Sequence, residues 1–149
     1  MKAVTIYEPW ATLIVLGYKQ FETRSWSTNW RGELAIHAAV TRKYCGEREV
    51  TEILERALVP SHQWGRIVKA QRPGYVLGMA RLVEVFPTER LAVSPQERAL
   101  GNFEMGRFGW KLTHVAPLLR PIHVRGRQQI WNLPSIVEDE IRAQFGGAA

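Results

Sequence analysis

The chain has 149 residues, 46% of them hydrophobic and 23% charged, which supplies one core and is too short for two ordinary domains. Twenty basic residues against 14 acidic ones give a formal charge of +6, and all but five of the basic residues are Arg. Neither the low hydrophobicity nor the extreme charge of a disordered chain is present, and the longest apolar run, Trp10 to Leu16, falls far short of the roughly 20 residues that span a bilayer.

Met1–Tyr7 is β-prone, with Val4 and Ile6 on one face. From Pro9 to Leu16 the spacing becomes helical: Trp10, Leu13 and Ile14 follow a proline suited to the first helical position, and Gly17 suits the C′ position. Lys19–Trp26 alternates, with Phe21 and Thr23 on one side and Glu22 and Arg24 on the other, the pattern of a strand with a charged face. Ser27–Gly32 reads as a turn and Glu33–Ala39 as a strand. A helix over Gly46–Leu58 presents Val50, Ile53, Leu54, Ala57 and Leu58 on one stripe, and Pro60 ends it. Trp64 falls in a loop. Gly74–Phe86 is a long strand. Ser94-Pro95-Gln96-Glu97 has the capping-box form, so a short helix is expected to Leu100. Phe108–Val115 and Ile122–Val124 read as two strands, and Pro134–Phe145 as a closing helix with Ile136, Val137, Ile141 and Phe145 apolar. The tail from Gly146 is expected to fray. Short strands without regular strand–helix alternation argue against a doubly wound parallel sheet and for an α+β fold, a small, mostly antiparallel barrel with flanking helices.

Most catalytic motifs are absent. No P-loop accompanies the glycines at 101, 106 and 109. His37, His62, His114 and His123 are dispersed and Cys45 stands alone, so neither a metal nor another cofactor is expected. A nucleophile elbow is missing, and Cys45 reads as an inert, partly buried thiol. A single cysteine fits a reducing compartment, and Glu8 and Pro9 before the apolar run speak against a signal peptide, so a soluble cytoplasmic protein is expected.

The charge is unevenly spread. Met105–Val137 carries Arg107, Lys111, Arg120, Arg125 and Arg127 without any Asp or Glu, and guanidinium forks pair bidentately with phosphate or guanine. Two constellations suit a nucleic acid. In Lys19–Trp26, the Lys, Glu22, Arg24 and Trp26 can hold a base and its phosphate, stacking on Trp contributing roughly 1–3 kcal/mol per base; the alternative is a Glu22–Arg24 surface pair above a core Trp26. In Arg125-Gly126-Arg127-Gln128-Gln129-Ile130-Trp131-Asn132, two Arg flank a Gly that lets backbone approach a ligand, followed by amides suited to base edges; the alternative is a basic β-turn.

Glu8-Pro9-Trp10-Ala11-Thr12-Leu13-Ile14-Val15-Leu16-Gly17-Tyr18-Lys19-Gln20-Phe21-Glu22-Thr23-Arg24-Ser25-Trp26 resembles the opening signature of ASCH domains, a Pro-Trp-Ala helix followed by Gly-x-Lys and Glu-x-Arg-x-Trp. Arg31-Gly32 with Ile36-His37-Ala38-Ala39, Gly78-x-Ala80 with Leu82-Val83, Gly106-Arg107-Phe108-Gly109-Trp110 and Pro121-Ile122 with Arg125-Gly126 follow in the family's order. The resemblance spans residues 1–133, with 134–149 a helix and tail of the same domain. It implies a PUA-like β-barrel with an RNA-binding cleft lined by Lys19, Glu22 and Arg24, with Trp26 beside them. Some small bacterial relatives hydrolyse N4-acetylcytidine with the Lys, a Thr and a distant Glu, and others are ribonucleases. Here the Thr position holds Glu22; Thr23 is one residue on and faces the other way. Glu104 falls in the region of the acidic residue without a motif to anchor it.

The expected function is therefore binding of RNA, in preference to DNA, or of a modified nucleotide, with Lys19, Glu22, Arg24, Trp26, Arg31, Arg107, Arg125, Arg127 and Gln128 as contacts. The rival is hydrolysis using Lys19 with Glu22 or Glu104. In that role a depressed Lys19 pKa is needed, which Arg24 would favour and Glu22 oppose. An adaptor contacting a protein partner through exposed aromatics stays open; a membrane partner is not expected.

Overall fold

The computed structural model describes residues 1–146. The sheet begins with β1 (Lys2–Ile6), which lies between β3 (Gly32–Ala38) and β6 (Ile130–Asn132), parallel to the first and antiparallel to the second. Antiparallel pairing continues from β3 through β4 (Tyr75–Pro87) and β5 (Phe108–His123) to β2 (Phe21–Arg24), giving the order β2-β5-β4-β3-β1-β6. This is the expected α+β, mostly antiparallel arrangement, with the six strands curled into a half-barrel and helices against them.

Both faces of the sheet are covered, and the strand alternation divides the core accordingly. Val4, Ile6, Leu34, Ile36 and Ala38 join Ala11, Ile14 and Val15 of α1 (Trp10–Val15), whereas Ala3 and Ala35 face the opposite way toward Val137 and Ile141 of α5 (Ser135–Gly146). Burial on two faces explains why β3 reads Leu-Ala-Ile-His-Ala and not as an apolar–polar alternation. A third cluster joins Leu13 to Val50, Ile53 and Leu54 of α2 (Glu47–Arg56), Ile67 of α3 (Trp64–Ala70) and Leu100, which follows α4 (Pro95–Ala99).

Several expectations need correction. Trp64 opens α3 and is not in a loop; its indole N–H donates to the Val59 carbonyl at 2.8 Å. β6 was not expected as a strand. The two strands expected around Pro117 and Pro121 are one, because β5 bulges where the prolines remove ladder donors: pairing steps from Gly78 opposite Pro117 to Val76 opposite Ile122. Gly78 permits that approach, since a Cβ there would sit 2.5 Å from the Ala116 carbonyl. Pro9 precedes the first residue of α1. Leu58 lies beyond α2 in a left-handed conformation (φ 59°) and is exposed, while Ile136 and Phe145 lie on the outer side of α5. Gly146 is the last residue of α5, and the rest of the tail, 147–149, lies outside the described residues.

Candidate functional site

Gly17 takes φ 88°, the left-handed turn that glycine adopts without a Cβ penalty and that ends α1. The chain folds back so that the Tyr18 and Lys19 N–H groups both donate to the Leu13 carbonyl. Lys19 then points inward, only 2% exposed, and its Nζ donates to the Leu100 carbonyl at 2.9 Å. α4 clasps the same segment. Gln96 donates to the Tyr18 carbonyl at 3.0 Å, and the buried Glu97 carboxylate accepts from the N–H groups of Gln20 (2.8 Å) and Phe21 (3.1 Å).

The capping box is therefore half realised. Ser94 accepts from the Glu97 N–H as expected, but the Glu97 side chain does not return to the helix start. It holds the start of β2, directly after Lys19. Burial lowers the Lys19 pKa, opposed by the negative charges of Glu22 and Glu97. Arg24 is not among the causes, contrary to expectation.

On β2, Glu22 is buried; its Oε2 accepts from Arg24 Nε at 3.0 Å and forms an ion pair with Nη2 at 3.0 Å. Arg24 also donates to the Thr5 carbonyl at 2.7 Å and lies 5.9 Å from the Trp26 ring centroid. Trp26 is half-buried, edge-on to the buried Trp110 with centroids 4.9 Å apart. The pair thus lies in a recess and not on an open surface, and Trp26 belongs to the wall and the core together.

These groups line a cleft of about 790 Å³ that also receives Thr5, Tyr7, Trp10, Asn102, Arg107, Arg127, Gln128 and Gln129. Arg107 is fixed by donating to the carbonyls of Asn102 (3.2 Å) and Thr23 (3.3 Å). Arg127 and Gln128 are exposed on the loop between β5 and β6. The other expected contacts stand elsewhere. Arg31 is turned to Glu84 at 2.8 Å and to the Thr28 and Trp30 carbonyls. Arg125 lines an adjacent depression with Asn132 and Pro134. Glu104 is exposed outside the cleft, its carbonyl accepting from the Thr88 hydroxyl. Thr23, by contrast, lines the cleft with Glu22, its Oγ1 accepting from the Asn102 N–H at 3.1 Å. Among the described residues, no group of three or more His, Cys, Asp or Glu is placed to hold a metal.

The model of the ASCH domain family matches residues 4–105, from β1 through α4. The chain belongs to the ASCH domain family. The crystal structure of ASCH from Zymomonas mobilis superposes with a TM-score of 0.55 at 15% identity, covering 95% of this chain and 93% of that one. A variant of the same protein gives 0.54 at 16% identity, covering 95% and 94%. At such identities the likeness is one of fold, and that fold is the PUA-like half-barrel. Activating signal cointegrator 1 from Homo sapiens is 44% identical over 50 residues, 34% of this chain and 8% of that protein. The matched stretch is thus a small fraction of its length.

Gly126 in this ASCH domain packs closely on the protein's own residues. A Cβ there would lie 2.6 Å from the His37 ring and 2.9 Å from Thr5 Oγ1, so its role is to let the loop pack on buried His37. In that histidine, Nε2 lies 2.8 Å from the Val124 carbonyl, which fixes it as the donor, and Nδ1 is 3.2 Å from Thr5 Oγ1. Burial lowers its pKa. Trp131 Nε1 donates to the same Thr5 oxygen at 3.1 Å. Glu97, Thr5, Tyr7 and Trp10 were absent from the expected site; the Glu97 spacing from Ser94 had a sufficient local explanation, Thr5 and Tyr7 lie in a strand read only for its Val4–Ile6 face, and Trp10 fits a helical stripe. Among the described residues no helix is long and apolar enough to cross a membrane.

Proposed function

We propose that this ASCH domain binds RNA, as a short segment or a modified nucleotide, in the cleft around Lys19. The observation that carries the reading is convergence: Lys19, Arg24, Arg107 and Arg127 border one cleft with Trp26 and the Gln128 amide. Lys19 is the central group. Its ammonium has been removed from water and has one carbonyl acceptor, so a ligand phosphate or base oxygen supplies the solvation that burial withheld. Trp26 offers an aromatic surface, and Gln128 offers a donor and an acceptor to a base edge. Glu22 orients Arg24 and is an acceptor for an exocyclic amine. Arg31 and Arg125, which stand away from the cleft, are left to longer-range attraction. The ligand is RNA in preference to DNA, the helix 134–146 belongs to the same single domain, and the lone Cys45 fits a cytoplasmic setting.

Binding of labelled single-stranded RNA and DNA of matched sequence tests the reading. With Arg24, Arg107 and Arg127 on phosphates, log affinity is expected to fall with log salt at a slope of about −2, from roughly −0.7 per phosphate on a single strand. Lys19→Ala is expected to weaken binding at least tenfold. No binding of any strand at low salt refutes it.

A second reading, hydrolysis of N4-acetylcytidine or of RNA, is favoured by the lowered Lys19 pKa, which makes a neutral amine more accessible as a base. Glu22, which lines the cleft, and not Glu104, is then the carboxylate that moves the proton. Incubation with N4-acetylcytidine and with labelled RNA, read by mass spectrometry, separates the two readings. Turnover lost in Lys19→Ala and in Glu22→Gln supports hydrolysis; intact substrates leave binding.

A further inference from the structure

Where β1 ends, Ile6 turns into the core and Tyr7 turns out at the mouth of the cleft, 52% exposed. An exposed aromatic ring on a loose loop would mean little, but Tyr7 is braced. Its ring centroid is 6.1 Å from that of Tyr44, and Tyr44 meets Trp10 edge-on at 5.2 Å. Trp10 in turn packs against two of the core clusters. The ladder Trp10, Tyr44, Tyr7 runs from the core to the rim and ends on a half-exposed ring.

Charge continues along the same rim. Lys43 Nζ sits 5.1 Å from the Tyr44 ring centroid, and Arg42 and Lys43 are both exposed next to Tyr44 in sequence. On the inner side, Arg24 and Arg127 flank the cleft. An aromatic platform with cations on either side suits a chain that alternates planar π systems with anions, which is a nucleic acid strand. A lone nucleoside offers one ring, whereas a strand offers one base to Trp26 and a second to Tyr7, both of which line the cleft.

We infer that Tyr7 is a second base-stacking platform, so that the cleft takes a single-stranded segment of at least two nucleotides. The inference rests on the RNA-binding reading above. The braced ring is ordered before the ligand arrives, so stacking there costs little side-chain freedom.

The test compares ribonucleoside 5′-monophosphates with the matching dinucleotides as competitors of a labelled single-stranded RNA. The wild type is expected to bind the dinucleotides about 5- to 150-fold more tightly than the monophosphates, the range that loss of a stacking platform spans. Tyr7→Ala is expected to remove that advantage by bringing dinucleotide affinity down toward that of the monophosphates, while Tyr7→Phe retains it, since stacking does not need the hydroxyl. Thermal unfolding of each variant checks the fold. Equal affinity for monophosphate and dinucleotide in the wild type overturns the second platform and leaves the cleft reading standing. Tyr7→Ala weakening both ligands equally also overturns it, making Tyr7 a wall of the first subsite. No competition by either ligand, or full binding by Lys19→Ala, overturns the cleft reading itself.

Discussion

Glu97 offers the sharpest perturbation, because one buried carboxylate serves both the fold and the charge state of the cleft. It accepts two backbone N–H bonds from the segment that follows Lys19, and its charge opposes the burial-driven fall in the Lys19 pKa. Hydrogen bonds to a charged acceptor contribute roughly 1.5–3 kcal/mol each, so Glu97→Ala is expected to cost on the order of 3–5 kcal/mol, a large share of the roughly 5–15 kcal/mol that holds a domain folded. Glu97→Gln keeps an acceptor oxygen without the charge. Neutral bonds are roughly half as strong, and the expected loss is about half as large. Both variants remove a negative charge near Lys19, so its pKa falls further. The cation is then lost at lower pH, and the alkaline limb of an RNA-affinity profile moves to lower pH. Urea denaturation reads the first effect, and binding across pH 6–10 reads the second. A Glu97→Ala protein with unchanged stability, or a Glu97→Gln protein with an unmoved alkaline limb, would show that the carboxylate does not hold β2 and Lys19 as argued.

Two further outcomes follow from packing and burial. Gly126→Ala puts a Cβ 2.6 Å from a His37 ring that is held on both nitrogens, so a loss of about 1–3 kcal/mol is expected; Gly65→Ala in α3, where the Cβ meets nothing within 4 Å, is expected to gain about 0.5–1 kcal/mol, and thermal melts of both decide whether packing sets the sign. Glu8 is buried under bonds from Thr12 and Arg72, and burial raises its pKa above 4.5 despite those bonds. With the folded value raised, its contribution is fully present below pH 4.5 and lost as pH rises through the folded pKa. The stability gap between wild type and Glu8→Ala should accordingly narrow from pH 4 to pH 7 in denaturation curves, and a widening gap would contradict the burial argument.

The elements that were legible in the sequence are those whose signals are local. α1 shows helical spacing ended by Gly17, α4 shows Ser94 and Pro95, and β2 shows a charged face. The misreadings came where the deciding term is distant. Pro117 and Pro121 break a strand in any local account, yet β5 continues because Gly78 on β4 leaves room for a bulge. β6 is three residues long and exists because β1 offers an edge to pair with. Leu58 and Phe145 fit their helical stripes by spacing, but α2 ends before the first and the core does not extend to the second.

The same division governs the candidate site. Glu22, Arg24 and Trp26 were readable because alternate residues of one strand share a face. Arg31 stands outside the cleft because whether an arginine is free depends on its partner, and Glu84 reaches it across the β3–β4 pairing. Net charge cannot distinguish these cases: Arg31 and Arg142 face carboxylates on the surface, whereas Lys19 is a cation whose nearest carboxylates are engaged elsewhere, Glu22 with Arg24 and Glu97 with backbone. A formal charge of +6 therefore matters less to the cleft than one buried ammonium whose position the carboxylate of α4 enforces. That makes the arrangement of acids, and not the surplus of bases, what determines where an anion can bind.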